Sequence, residues 1–531
     1  MRYNKHYNTR STPQTEKIPG STQVANSAGG FSWQVDDWTR LDRFLVLGTE
    51  GGTYYAGERK LTIDNADCVK RCIDNNGKRT VERIIEVSVN NEAVKTDPAI
   101  FALAMAAKMG DDVTRKLALQ AVDKVCRIGT HLFHFAEYIE SFGGWSRGSR
   151  EAVARWYNNR PADELAYQLV KYKKRGGWSH QDLLRLAHVK PVDDAHNALY
   201  CYVIKGSTDG VGAFVEACEE LKECKRVNKV VRLITEHNLP REVIPTEWLN
   251  RSEVWEAMLP GMPMTALIRN LGNLSKAGVL APMSDAVNLV VDKITNKEAL
   301  KKARVHPLAL LVAQNIYGQG HGHRGRGSWE VVPQVVDALD DAFYMAFKQI
   351  EPSGKRMLLA LDVSGSMEWS NIAGMPGVTP MVGSAAMAMA TARSEKNYHI
   401  MGFSHELVKV PITARQKLKT AIATMQTVLP GETDCALPMI WAKQNKIPVD
   451  QFVVYTDSET WAGYIHPTQA LNEYRQKMGI AAKLVVVGMV ANKFTIADPN
   501  DAGMMDVVGF STSAPTVISN FAKSPVDPRK V

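Results

Sequence analysis

A chain of 531 residues is too long for one hydrophobic core, because single cores stop growing at roughly 250–300 residues, so two or more domains are expected. Its 64 Lys and Arg against 56 Asp and Glu leave a net charge of +8, too modest at this length to establish nucleic-acid binding by charge alone. Most of that excess lies ahead of residue 351, where 47 basic residues face 41 acidic ones, against 17 and 15 in the remainder.

In chain order, residues 1–30 are rich in Asn, Ser, Thr, Gly and Pro, which reads as a flexible N-terminal arm. No apolar core of a signal peptide stands there, and no apolar run reaches membrane-spanning length. The seven cysteines, at 68, 72, 126, 201, 218, 224 and 435, contain no CxxC pair. That pattern suits free thiols in a reducing compartment, so a soluble cytoplasmic protein without a membrane partner is expected.

From residue 31 to 351 helical periodicity dominates. In DDVTRKLALQAVDKVCRIG, Val113, Leu117, Ala121 and Val125 recur every fourth residue, with Ala118 and Val122 widening the stripe. Thr96 or Asp97 ahead of Pro98 is a helix start. Similar patterns run through EAVARWYNNR, ADELAYQLVKYKKR, TDGVGAFVEACEELKE and PMTALIRNLGNL. Many short amphipathic helices predict pairs stacked as a solenoid, with no repeat at a fixed period.

From residue 352 to 531 strands alternate with helices. KRMLLALDV, NYHIMGFS, DQFVVYTD and AKLVVVGMV are apolar β-rich runs separated by patterns such as GSAAMAMATARSEK and PTQALNEYRQKMG. Buried parallel strands with crossover helices produce this texture, a doubly wound α/β domain.

Ligands of such a sheet bind where loops leave the carboxyl ends of its strands. Asp362, Ser364 and Ser366 stand there, with Thr433 in PGETDC and Asp457 directly after QFVVYT. Carboxylates and hydroxyls without Cys or imidazole form a hard ligand set, suited to a divalent cation, Mg²⁺ first and Mn²⁺ or Ca²⁺ next. No base is placed to activate the serines, so no enzyme is expected. The five residues resemble the metal-ion-dependent adhesion site of the von Willebrand factor A domain, which implies a vacant coordination position able to accept a partner's carboxylate.

Two basic segments lie in the helical part. Residues 171–190 hold six Lys or Arg against one Asp, with Lys171, Lys174, Arg175, Arg185 and His188 among aromatics; residues 301–327 hold five, including Lys301, Lys302 and Arg304, and no acid. Such clusters neutralise phosphates, while aromatic and Arg planes stack on unpaired bases; a solvated helix face is the plainer reading. GHGHRG at 320–325 matches a dinucleotide fingerprint only formally, because it follows a helical pattern and not a strand.

DDWTRLDRFLVLGTEGGTYYAGERKL, AYQLVKYKKRGGWSHQDLLRLAHVKP, GMPMTALIRNLGNL, KKARVHPLALL and LPGETDCALPMIWA with FTIADP together resemble the Ro sixty-kilodalton autoantigen family, whose members carry a TROVE module. The resemblance runs from about residue 28 to about 522 and looks like a bacterial member. It implies a multidomain fold, an α-helical ring of HEAT-like repeats closed by an α/β von Willebrand factor A domain. It also implies an RNA-binding scaffold, monomeric, that takes Y RNAs on an outer basic surface and single-stranded 3′ ends of misfolded RNAs through the ring. A role in RNA quality control with a 3′ to 5′ exoribonuclease, including under stress, follows from the same resemblance. Lys171, Lys174, Arg175, Arg185 and His188 match the family's RNA-binding stretch. Two departures stand out: Gly431-Glu432-Thr433-Asp434 adds an acid beside the metal Thr, and Ser149-Arg150-Glu151 puts an acid where relatives are more basic. The alternative is an adaptor that uses the A domain to grip an acidic residue of a protein partner, without RNA.

Overall fold

The computed structural model describes residues 11–322, 327–347, 351–428 and 430–525. Among the described residues eleven strands occur in chain order: β1 Val24–Ala25, β2 Phe31–Gln34, β3 Lys174–Arg175, β4 Trp178–Ser179, β5 Arg356–Asp362, β6 Asn397–Phe403, β7 Leu407–Lys409, β8 Gln451–Thr456, β9 Lys483–Gly488, β10 Phe494–Thr495 and β11 Met504–Val508. Six make one sheet in the order β11-β9-β8-β5-β6-β7, parallel except at the β7 edge.

Alternation of side chains across this sheet sorts them into two cores. Leu358, Ala360, Phe452, Val454, Leu484 and Val486 pack with the helices Leu437–Gln444 and Pro467–Met478. Met357, Leu359, Leu361, Val453, Tyr455 and Val485 belong to a larger core that continues into the helical part. The helix Pro380–Ser394 is buried from Pro380 through Ala392. Its small, apolar composition on every side reflects that burial.

The helical part begins and ends on the α/β domain. In its first helix, Asp37–Leu47, the fully buried Arg43 donates to Asn492 O (3.1 Å), Asn492 Oδ1 (2.9 Å) and Phe494 O (2.9 Å), and pairs with Asp506 at 2.6 Å. Gly488 makes room for it, because a Cβ there would lie 2.7 Å from Arg43 Nη2. At the other end His306 meets Phe510 O at 3.0 Å, and Asp340 accepts from Leu418 N at 3.0 Å.

Three expectations are corrected. The N-terminal arm is packed, not flexible, over residues 12–34. Gln14, Gln23 and Ser32 are buried, β2 pairs with β10, and β1 pairs with β2; hydrogen bonds to the α/β domain replace the apolar burial that its composition lacks. Residues 1–10 lie outside the described residues. The segment DDVTRKLALQAVDKVCRIG is two helices, Asp112–Gln120 and Val122–Val125. The break shifts the buried stripe to Thr114, Ala118, Ala121, Val122 and Val125, and leaves Val113 exposed. The pattern ADELAYQLVKYKKR does not continue as helix to Arg175: the helix ends at Lys171 with Tyr172 extended, and β3 and β4 form a hairpin. Its two turn residues, Gly176 (φ 55°) and Gly177 (φ 83°), have the positive angles that a tight two-residue hairpin loop demands.

Candidate functional site

The oxygen cluster lies between β5 and β8, neighbours from which the chain departs in opposite directions along the sheet, a switch point of the kind where ligands bind. Asp362 ends β5, and its carboxylate accepts from Ser364 N (2.9 Å) and Thr456 Oγ1 (2.6 Å). Ser364 Oγ and Ser366 Oγ are 3.2 Å apart. Asp457 follows β8, accepts from Glu459 N at 3.0 Å, and has the Ser366 hydroxyl beside its carboxylate. Thr433 is buried, and its carbonyl accepts from Trp461 N (3.0 Å), Ala462 N (3.1 Å) and Thr460 Oγ1 (3.1 Å). The structure thus joins four of the five residues directly and ties Thr433 to the Asp457 loop through its backbone.

Burial and mutual repulsion govern the acids. Burial, and then Asp457, push Asp362 up to about 7; burial raises Asp457; burial and Asp457 push Glu459 up to about 8. A cation among these groups would favour their ionised forms. Among the described residues no group of three or more His, Cys, Asp or Glu is placed to hold a metal. The donors here are two carboxylates supplemented by hydroxyls, a set that fits a hard divalent cation. Loop 48–57 from the helical part covers this end of the sheet: Tyr54 meets Trp369 edge to face with centroids 5.7 Å apart, and burial, Asp457, Glu459 and Asp362 raise the Tyr55 hydroxyl.

The basic residues divide. Lys174 and Arg175 on β3, and Arg185 and His188 at the end of the helix His180–Leu186, are exposed. His188 adopts a left-handed backbone (φ 49°), which is uncommon outside glycine. Lys171 differs: its side chain is 11% exposed, donates to Tyr167 Oη at 3.0 Å and lies 4.0 Å from Glu242. Burial opposes its charge, but Tyr167, Tyr172 and Glu242 outweigh that and raise its pKa. Lys301, Lys302 and Arg304 are exposed around the end of the helix Lys297–Lys302, which packs on Asp285–Ile294 and Pro333–Met345. Arg304 is close enough to the half-buried Arg127 that, after burial, it helps to lower that guanidinium. Residues 323–326 of the second segment and of GHGHRG lie outside the described residues. His180 is a core residue, bonded to Tyr157 Oη at 2.7 Å and pushed by burial down to about 3. Sequence reasoning missed Thr456 and Asn492, which hold Asp362 and the Asp457 carbonyl (2.7 Å); a lone Thr or Asn carries no sequence signal of that role.

A family model described as the Ro60 vWA domain matches residues 356–522, and the TROVE domain matches residues 24–238 and 229–316. The chain belongs to the Ro60 family. It is 43% identical over 525 residues to the RNA-binding protein RO60 of Deinococcus radiodurans, covering 98% of each. It is 34% identical to the RNA-binding protein RO60 of Caenorhabditis elegans, over 96% of this chain and 91% of that one. The crystal structure of the Deinococcus radiodurans RO (RSR) protein superposes with a TM-score of 0.71, covering 92% of this chain and all of that one at 43% identity. The Ro60 assignment unites the two parts of the fold, repeat-like helices and an A domain, in one known architecture. No helix among the described residues is long and apolar enough to cross a membrane.

Proposed function

We propose that this Ro60 family member is an RNA-binding scaffold that acts by binding and not by catalysis. The observation that carries the reading is the group of exposed Lys174, Arg175, Arg185 and His188 on a hairpin and helix end. They project from ordered backbone, so little entropy is lost when they meet phosphates. The relatives' description as RNA-binding supports it. On the family resemblance, the ligands are Y RNAs and the single-stranded 3′ ends of structured or misfolded RNAs. In this reading the protein works as a monomer in the cytoplasm, where its free thiols suit a reducing compartment, with a 3′ to 5′ exoribonuclease in quality control, as the family resemblance suggests. Asp362, Ser364, Ser366, Thr433 and Asp457 would hold a divalent cation, Mg²⁺ first, which would neutralise the buried acids and order their three loops.

The test is competition binding at fixed salt between a structured RNA with a single-stranded 3′ extension and the same RNA with a blunt end. The extended RNA should compete better, because bases are read when unstacked. Equal competition would defeat the 3′-end reading. A protein that binds neither RNA at low salt would defeat the scaffold reading and leave the A domain as a protein adaptor.

A further inference from the structure

The loop after Asp457, residues 458–466, is irregular, and its polar residues Ser458, Glu459, Thr460 and His466 are buried. A buried loop must find partners for its backbone and polar side chains, or each orphaned group costs about 1–3 kcal/mol. Here the partners come from the N-terminal segment. Gln14 N donates to Gly463 O (2.8 Å), and Gln14 Nε2 donates to Ile465 O (2.8 Å) and Asp434 Oδ1 (2.7 Å). The Thr460 hydroxyl bonds Gln14 Oε1 while also reaching Thr433 O at 3.1 Å. The chains pass so closely that a Cβ on Gly463 would lie 2.3 Å from Gln14 Nε2. Further along, Asn26 Nδ2 donates to Thr460 O (2.8 Å), Ser27 N to Glu459 Oε2 (2.7 Å) and Ser32 Oγ to Ser458 O (2.9 Å). His466 spans Gln23 Nε2 (3.2 Å) and Glu16 O (2.8 Å).

One side chain, Gln14, therefore bonds both the loop that carries Thr433 and the loop that carries Asp457. We infer that the N-terminal segment, residues 12–34, completes the cation site of the A domain, with Gln14 as the positioning residue that fixes the Thr433 loop against the Asp457 loop. The inference rests on the proposed cation reading of those residues. It makes the site a joint product of two ends of the chain: Gln14 and Asp434 are 420 positions apart. Cation affinity then reports whether the N-terminal segment is docked.

The experiment titrates MnCl₂ alone into the full chain by calorimetry, with a thermal melt of each variant. Gln14→Ala and the similarly sized Gln14→Met should weaken Mn²⁺ binding about 10–100-fold, the usual effect of losing a partner that orients metal ligands. Lys17→Ala, exposed on the same segment, should titrate as the parent does. In an Asp434→Ala background the effect of Gln14→Ala should shrink, because one of its contacts is already gone. RNA affinity through the 174–188 surface should not change, which separates loop positioning from general unfolding. Gln14→Met decides the matter where Gln14→Ala does not fold. Parent-like Mn²⁺ affinity in both Gln14 variants, with Asp362→Ala binding none, would overturn the inference and leave the cation reading standing. A parent chain that takes up no Mn²⁺ would remove the cation reading and this inference together.

Discussion

Replacing Lys174, Arg175 and Arg185 together by Ala removes three exposed cations while leaving the hairpin turn and the helix cap intact. The turn rests on Gly176 and Gly177, and the cap on the reciprocal Ser179–Asp182 bonds. Each phosphate contact contributes about 0.9 to the slope of log K against log salt on a duplex and about 0.7 on a single strand. Three contacts thus predict a slope flatter by about 2 to 3 units. Between 50 and 200 mM salt each duplex contact changes affinity about 3.5-fold, so the parent's advantage over the triple variant should shrink about 40-fold across that range. Lys171→Ala should alter the slope less than any one of the three, because its ammonium is already engaged by Tyr167 and Glu242. Fluorescence anisotropy with one labelled stem-loop RNA at four salt concentrations measures all of these slopes. Parallel lines for parent and triple variant would refute the assignment of these side chains to phosphates. A larger effect from Lys171 would refute the reasoning from its burial.

Three further outcomes follow from the geometry. Asp362→Ala with Ser364→Ala should abolish Mg²⁺ and Mn²⁺ binding by calorimetry while RNA binding survives, since the pair lies at a strand end remote in sequence from the basic hairpin; unchanged affinity would sink the cation site. Arg43→Ala should destabilise the fold by about 3–5 kcal/mol in urea at pH 7, because it strands Asp506 beside empty space; the double variant with Asp506→Ala should recover part of that loss, and a loss below about 1 kcal/mol would show that the pair does not hold the two parts together. Burial pushes His306 down to about 4, so the folded state refuses a proton that the unfolded state accepts below about 6.5. Its contribution is complete above that pH and is lost as pH falls toward 4, by about 1.4 kcal/mol per unit relative to His306→Asn; parallel pH profiles for parent and variant would contradict it.

The α/β class was legible because parallel strands covered on both faces must be apolar throughout, and β5, β8 and β9 are buried along nearly their whole length. The neighbourhood of Asp362, Ser364 and Ser366 was legible because their spacing within one turn is local; Thr433 and Asp457 were proposed from their places in a loop and after a strand. The exposed cations were readable as charge, but their arrangement was not: RGGW is a tight hairpin only because the preceding helix stops at Lys171, and Lys171 loses its freedom to Glu242, 71 positions later in the sequence. The N-terminal segment shows the limit most clearly. TPQTEKIPGSTQVANSAGG has the composition of a solvated tail, since composition records how much apolar surface a segment can bury and nothing of hydrogen-bond partners elsewhere. Its order comes from the unsatisfied backbone and buried side chains of residues 458–466, which accept Gln14, Asn26 and Ser32 at 2.8–2.9 Å. Polar complementarity between segments more than 400 residues apart exists only once both strand ends have been placed, so the tertiary structure alone could decide it.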